Sequence, residues 1–279
     1  MRFVCGFVVC LSLFLRTSAA QTPAPDSYPE GASFIDRFAS LDLKRWYISD
    51  GWANGPHQNC TWSPANVKVT DALELSLTDR ASPDRPFTCA ELQTREFFGY
   101  GTYEVRMQPA ASAGLVSAFF SFTGSPHGAA RPHNEIDFEF LGKNRAGVFL
   151  NYFAGGRGHE SNVGLPFDAT AAVQDYAFEW LPDSIRWFVN GRVVREVRKG
   201  DGFSIPTHRQ KIYVSVWNGT GRDQEAWLGR FRYPDQPLVV RYDYVAYTRM
   251  GEPCQFAESV VCLQSPAPKR HTPNQPDRL

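Results

Sequence analysis

Residues 135–140 read Glu-Ile-Asp-Phe-Glu-Phe, a strict alternation of acidic and apolar side chains. Successive side chains of a β-strand point to opposite faces, so Glu135, Asp137 and Glu139 share one face and Ile136, Phe138 and Phe140 the other. The apolar face needs a core on one side of a sheet. The acidic face cannot enter that core, and three carboxylates along one face repel one another. A solvated outer face of an antiparallel sheet is the plainer origin of such alternation, but solvated faces normally mix charge signs.

The surrounding sequence supplies strands for such a sheet. Short strand-like runs separated by turn residues occur at 72–78, 101–107, 116–123, 136–141, 148–153, 176–180, 185–189, 193–197, 212–217 and 239–247. Asn190-Gly191 between two of them is a two-residue hairpin signal. Few stretches have helical periodicity and no repeat is evident. This pattern predicts an all-β fold, one antiparallel β-sandwich of two sheets with jelly-roll character, over residues 33–262.

The ends of the chain read differently. Arg2, an apolar run over 3–15 and the small residues Ser18-Ala19-Ala20 form a signal-peptide pattern over 1–20. The expected destination is extracellular, with the periplasm as the alternative, and no later stretch has the length and apolarity of a membrane span. Residues 21–32 read as a Pro-rich linker and 263–279 as a polar, Pro-rich tail that cannot bury apolar surface. Export places Cys60, Cys89, Cys254 and Cys262 in an oxidising compartment. They admit three pairings, and joining each to its nearest neighbour favours Cys60–Cys89 and Cys254–Cys262. No CxxC pair is present to suggest zinc.

The acidic face has suitable company. His133 shares it, and neighbouring runs present Phe120 with Phe122, Asn151 with Phe153, and Tyr213 and Ser215 with Trp217. Aromatics interleaved with polar groups suit a sugar cleft, where rings stack on pyranose faces and amides or carboxylates bind hydroxyls. Paired carboxylates flanking a sugar–oxygen bond are how most glycoside hydrolases work. A formal net charge of zero gives no hint of a nucleic-acid partner.

Several motifs in order resemble glycoside hydrolase family 16, most closely the bacterial lichenases, which are endo-β-1,3-1,4-glucanases. They are Gly51-Trp52-Ala53-Asn54-Gly55, Asn59-Cys60-Thr61-Trp62, Cys89-Ala90-Glu91, residues 100–107 (YGTYEVRM), residues 135–142 (EIDFEFLG), Trp217-Asn218-Gly219-Thr220-Gly221 and Trp227-Leu228-Gly229. The resemblance implies a curved, concanavalin A-like jelly roll. It implies Glu135 as nucleophile, Glu139 as general acid/base and Asp137 as the carboxylate that tunes them. Asn54, Glu91, Asn151, Trp217 and Trp227 match substrate-contacting positions, and Trp52, Gln93, Phe120, His133 and Phe153 complete the expected cleft. Cys60 and Cys89 match a disulfide of the family, and Asp243 matches a residue at a structural calcium site. No cofactor is required by the chemistry implied.

Departures fall on the sugar-facing positions. His133 stands where lichenases usually carry Trp, Asn134 where they carry Asp, and Gln93 where the cleft has Arg. Phe122 and Phe153 replace Tyr, and Ser215 replaces Asn. These changes leave the bond-breaking residues in place and put the choice of polysaccharide in question. Mixed-linkage glucan, xyloglucan and acidic exopolysaccharides such as succinoglycan are the alternatives, with transglycosylation and a non-catalytic, lectin-like module as other activities of the same fold. A monomer acting on a polysaccharide is expected.

Retaining glycosidases hold their carboxyls roughly 5 to 5.5 Å apart. Residues i and i+4 of a strand have Cα atoms about 13 Å apart. The two glutamates can converge only across a concave surface, so this strand is expected to line the hollow of a bent sheet. No extra residue separates Asp137 from Glu139, so no bulge is expected there.

Overall fold

The computed structural model describes residues 28–128, 131–200 and 202–264. The signal-peptide segment, most of the linker and the tail beyond Gln264 lie outside the described residues. The end of the expected linker is tied to the domain: Tyr28 stacks on Phe97 at 4.4 Å and Gly31 N donates to Phe97 O at 2.8 Å. Leu263 and Gln264 close a short helix, Val260–Gln264.

Two sheets form the sandwich. One runs, in spatial order, Arg192–Arg198, Ser184–Val189, Gln174–Trp180, Gly101–Gln108, Leu238–Arg249, Leu73–Leu77 and Val67–Val69, with Phe34–Asp36 also pairing with Leu238–Arg249. The other runs Arg157–Gly158, Gly147–Ala154, Asn134–Leu141, Leu115–Thr123, Lys211–Asn218, Phe87–Thr94 and Trp46–Ile48. Ser161–Gly164 pairs with Gly147–Ala154, and Cys60–Trp62 lies parallel to Phe87–Thr94. All ten expected runs are strands. Asn190 and Gly191 both take positive φ, 49° and 75°, as the tight hairpin between Ser184–Val189 and Arg192–Arg198 requires.

The period-two pattern of the acidic strand does what it predicts. Ile136 and Phe138 are fully buried and Phe140 nearly so. Phe138 and Phe140 meet Tyr176 of the opposite sheet at 5.7 and 4.7 Å, and Phe119 meets Phe178 at 5.6 Å. Each such aromatic buries about 150–250 Å², so these contacts hold the sheets face to face. Hydrogen bonds cross the same layer. Trp187 Nε1 donates to Asp137 O at 3.2 Å, and Tyr242 Oη donates to Ala118 O at 2.9 Å. The backbone beneath the acidic face is thereby pinned from behind.

Both expected disulfides form, Cys60–Cys89 and Cys254–Cys262. The first ties the segment 51–62 to the strand Phe87–Thr94. The calcium expectation meets a different arrangement. Asp243 is the extra residue of a bulge in Leu238–Arg249, where Tyr242 and Tyr244 face Met107 and Arg106 in succession. Its Oδ1 accepts from Arg241 Nε at 2.8 Å and its Oδ2 lies 3.6 Å from Arg106 Nε. Arg241 also pairs with Asp71 and Arg106 with Asp175, so Asp243 lies within an ion-pair network of two arginines and three aspartates. Among the described residues no cluster of three or more His, Cys, Asp or Glu could hold a metal.

Candidate active site

A cleft of about 920 Å³ runs across the outer face of the second sheet. Its lining comes from six adjacent strands, from Phe153 near one edge to Tyr47 near the other, so this face is concave as the glutamate spacing requires. Glu135, Asp137 and Glu139 lie on its floor, and Asn134–Leu141 pairs without a register shift on both sides. The absence of a bulge keeps all three carboxylates on one face.

Register sets each acid's neighbours. Glu135 lies between Phe122 and Phe153, Asp137 between Phe120 and Asn151, and Glu139 between Ala118 and Phe149. Beyond these, Lys211 faces Phe122, Tyr213 faces Phe120 and Ser215 faces Ala118. Phe120 and Tyr213 stack at 4.8 Å, forming a flat ledge beside Asp137. Ala118 and Ser215, the smallest side chains of the floor, fall in the row of Glu139.

Burial and mutual repulsion divide the protons. Asp137 is 4% exposed, and its carboxyl is pushed well above the usual range by burial, then by the charges of Glu135 and Glu139. It also shares a side-chain hydrogen bond with Glu135 that favours its protonated form. Burial, and then the charge of Glu135, push Glu139 up to about 8. Glu91 is pushed to about 7 by burial, against the opposing effect of a 2.7 Å hydrogen bond from Ser49 Oγ, with Glu135 adding a smaller rise. Burial therefore favours the neutral forms of Asp137 and Glu139 near pH 7 and leaves Glu91 near half-protonation, and the charge of Glu135 adds to the rise in each.

Of the remaining expected contacts, Trp52, Asn54, Glu91, Gln93, Phe120, His133, Phe153 and Trp217 all line the cleft. Trp52 is 40% exposed and meets Trp62 edge-on, presenting an open ring at the rim. Two expected contacts, Trp227 and Asn151, lie on the same side of the sheet but are engaged by other partners. Trp227 sits on the short helix Arg222–Leu228 and packs against Phe149 and Trp217, at 5.4 and 6.4 Å, beside the row of Glu139. Asn151 is buried, and its Oδ1 accepts from the backbone N–H groups of Tyr152 and His159, so it braces the strand end. His133 lines the cleft with its Nε2 turned onto Glu135 Oε2, 2.6 Å away.

The sequence reading missed Tyr47, His57, Arg95, His127 and Lys211, which also line the cleft. Tyr213 Oη lies 3.0 Å from His127 Nε2, and Lys211 Nζ donates to Gln93 Oε1 at 3.2 Å. Lys211 was legible by parity, two residues before Tyr213 on the same face. His57 comes from a loop and His127 from the one-turn helix Ser125–His127, where no strand periodicity points to them.

Comparison with known proteins agrees with this geometry. Residues 54–235 match the model of glycosyl hydrolases family 16. Endo-1,3-1,4-beta-glycanase ExoK of Rhizobium meliloti (strain 1021) is 47% identical over 232 residues, covering 82% of this chain and 84% of that protein. The beta-glucanase of Bacillus subtilis (strain 168) is 40% identical over 247 residues, 88% of this chain and 95% of that one. The solved Bacillus licheniformis beta-glucanase superposes with a TM-score of 0.72 at 40% identity, covering 78% of this chain and 99% of its own. With two sheets of the same kind, a concave acidic strand and motifs matched in order, the chain belongs to glycosyl hydrolases family 16.

Proposed function

We propose that this protein is a secreted, endo-acting β-glycanase that hydrolyses β-1,3-1,4-linked glucan, or a related exopolysaccharide, with retention of configuration. The observation that carries the reading is the placement of Glu135, Asp137 and Glu139 on one face of one strand, on the floor of a cleft that crosses six strands. The names of the relatives, beta-glucanase and endo-1,3-1,4-beta-glycanase, support the substrate class. A cleft open across six strands suits attack within a chain rather than at its end. The signal-peptide pattern over 1–20 supports secretion, and no helix among the described residues is long and apolar enough to cross a membrane.

The chemistry follows from the proton inventory. Glu139, held neutral, donates its proton to the glycosidic oxygen as the bond to the anomeric carbon breaks. Glu135 attacks that carbon from the opposite side and forms a glycosyl ester. Glu139, now a carboxylate, takes a proton from water. The water oxygen attacks the anomeric carbon, the ester bond breaks, and its electron pair returns to Glu135. Asp137 keeps its proton and its hydrogen bond to Glu135, and the Trp187 bond to its backbone fixes its place. Burial, the same cause that raises Glu139, makes each of these interactions stronger than it would be in water.

Release of reducing ends from lichenan, barley β-glucan, xyloglucan, laminarin and succinoglycan tests the reading. The mixed-linkage glucans, or the exopolysaccharide, should yield oligosaccharides, and Glu135→Gln should abolish this with the fold intact. Full activity in Glu135→Gln would overturn the assignment. Products dominated by transfer to an added oligosaccharide acceptor would make the enzyme a transglycosylase instead.

A further inference from the structure

The contact between His133 and Glu135 lies outside the role expected of His133, which the sequence placed against the sugar. His133 Nε2 lies 2.6 Å from Glu135 Oε2. The ring is braced on both sides, stacked on Phe153 at 4.3 Å and 17° and edge-on to Phe122 at 5.3 Å. Its backbone is clamped too. His133 O accepts from Gly156 N at 2.8 Å, and the next side chain, Asn134, accepts from Gly155 N through Oδ1 at 2.9 Å. Gly155 and Gly156 both take positive φ, 61° and 86°, so the turn that makes this clamp needs glycine's freedom. An imidazole held in this way has one orientation toward the carboxylate.

We propose that His133 is a positioning residue for the nucleophile, donating Nε2–H to Glu135 Oε2 and favouring departure of the Glu135 carboxylate from the glycosyl-enzyme. The inference rests on the retaining reading above. A carboxylate has no proton to give, so the donor in this pair is the imidazole N–H. Such a bond is strong to a full carboxylate and weak to an ester oxygen, because the ester has shed the negative charge. It stabilises the free enzyme, where Glu135 is charged, and the second transition state, where charge returns to Glu135. It gives little to the glycosyl ester between them. Removing the donor therefore slows the second step, in which water adds to the anomeric carbon, the C–Oε bond breaks and Glu139 takes the water proton. The first step, which consumes the carboxylate's charge, is left unchanged or becomes faster.

The experiment uses the whole enzyme and a 2,4-dinitrophenyl β-glycoside of a mixed-linkage oligosaccharide. Its leaving group departs readily, so kcat reports breakdown of the ester and kcat/KM its formation. In His133→Phe, which keeps the stacking on Phe153, kcat should fall about tenfold while kcat/KM stays within about threefold or rises. Acid-quenched samples should show a larger share of enzyme carrying the glycosyl mass. His133→Gln, whose amide N–H can donate, should recover part of kcat. A parallel fall of kcat and kcat/KM with no accumulated ester would overturn the proposal, as would an unchanged kcat in a folded His133→Phe. A wild-type protein that cleaves neither glucan nor the aryl glycoside would overturn the activity reading itself, whereas an active wild type with an unaffected variant removes only the role of His133.

Discussion

If Glu139 is the proton donor, the need for it should disappear when the leaving group needs no proton. With its carboxyl raised to about 8, Glu139 is about nine-tenths protonated at pH 7 and about a tenth at pH 9. For a polysaccharide, or an aryl glycoside with a poor leaving group, kcat/KM should fall about tenfold over that interval. The sign follows from the role: the protonated form is the active acid, so activity is lost as pH rises through the raised value. For the 2,4-dinitrophenyl glycoside, kcat/KM should stay nearly flat over the same range. Glu139→Ala should retain substantial kcat/KM on that substrate and lose nearly all of it on glucan. The same structure predicts how far the value can be moved. Burial is the larger cause of the rise and the charge of Glu135 the smaller, so Glu135→Gln should lower the Glu139 value yet leave it above that of a free carboxyl. Carbon-13 NMR of labelled glutamate in the variant reads this directly. An alkaline limb of equal depth with both leaving groups would refute Glu139 as the acid, and an unmoved Glu139 value in Glu135→Gln would refute the electrostatic coupling.

Other outcomes test the scaffold. Cys60–Cys89 closes a sequence separation of 29 residues, which in the chain-entropy account is worth about 3.5 kcal/mol, so Cys60→Ala/Cys89→Ala should lower Tm by roughly 7–14 °C in calorimetry. A shift under about 2 °C would show that the bond does not anchor the cleft wall. Glu104, buried beneath the helix Val260–Gln264 and bonded by Ser259 Oγ and Val260 N, is pushed up to about 7 by burial. Because its folded value lies above its unfolded one, the stability it contributes is full below about pH 4.5 and is lost as pH rises through about 7, by at most about 3 kcal/mol. Glu104→Gln should therefore flatten the decline of Tm between pH 5 and 8, and an unchanged slope would contradict this. Since Asp243 is held by two arginines, millimolar calcium or a chelator should move Tm by less than about 1 °C.

The acidic face was legible because the period-two pattern is strict over residues 135–140 and one face is wholly apolar. The strand Phe87–Thr94 was not, although it carries Cys89, Glu91 and Gln93. Seven of its eight residues are buried, on both faces, so its sequence shows no alternation between core and solvent. The surroundings of Trp227 were hidden for a related reason. A tryptophan in a motif says nothing of its packing partners, and the short helix Arg222–Leu228 sets this one against Phe149 and Trp217. The ion pairs of Asp243 with Arg106 and Arg241 were not legible, because these residues meet only through strand pairing and a bulge. His133 was placed on the correct face by parity, but its contact with Glu135 depends on the turn at Gly155 and Gly156, which no strand pattern encodes.

The central claim is that Glu135 and Glu139 cleave a β-glucan by two displacements on one floor of the cleft. Proton NMR of the newly formed anomeric centre, recorded in the first minutes of lichenan hydrolysis, tests it most directly. The account predicts that the β-anomer appears first and mutarotates to the α/β mixture, with no such signal from Glu135→Gln. First appearance of the α-anomer would contradict it.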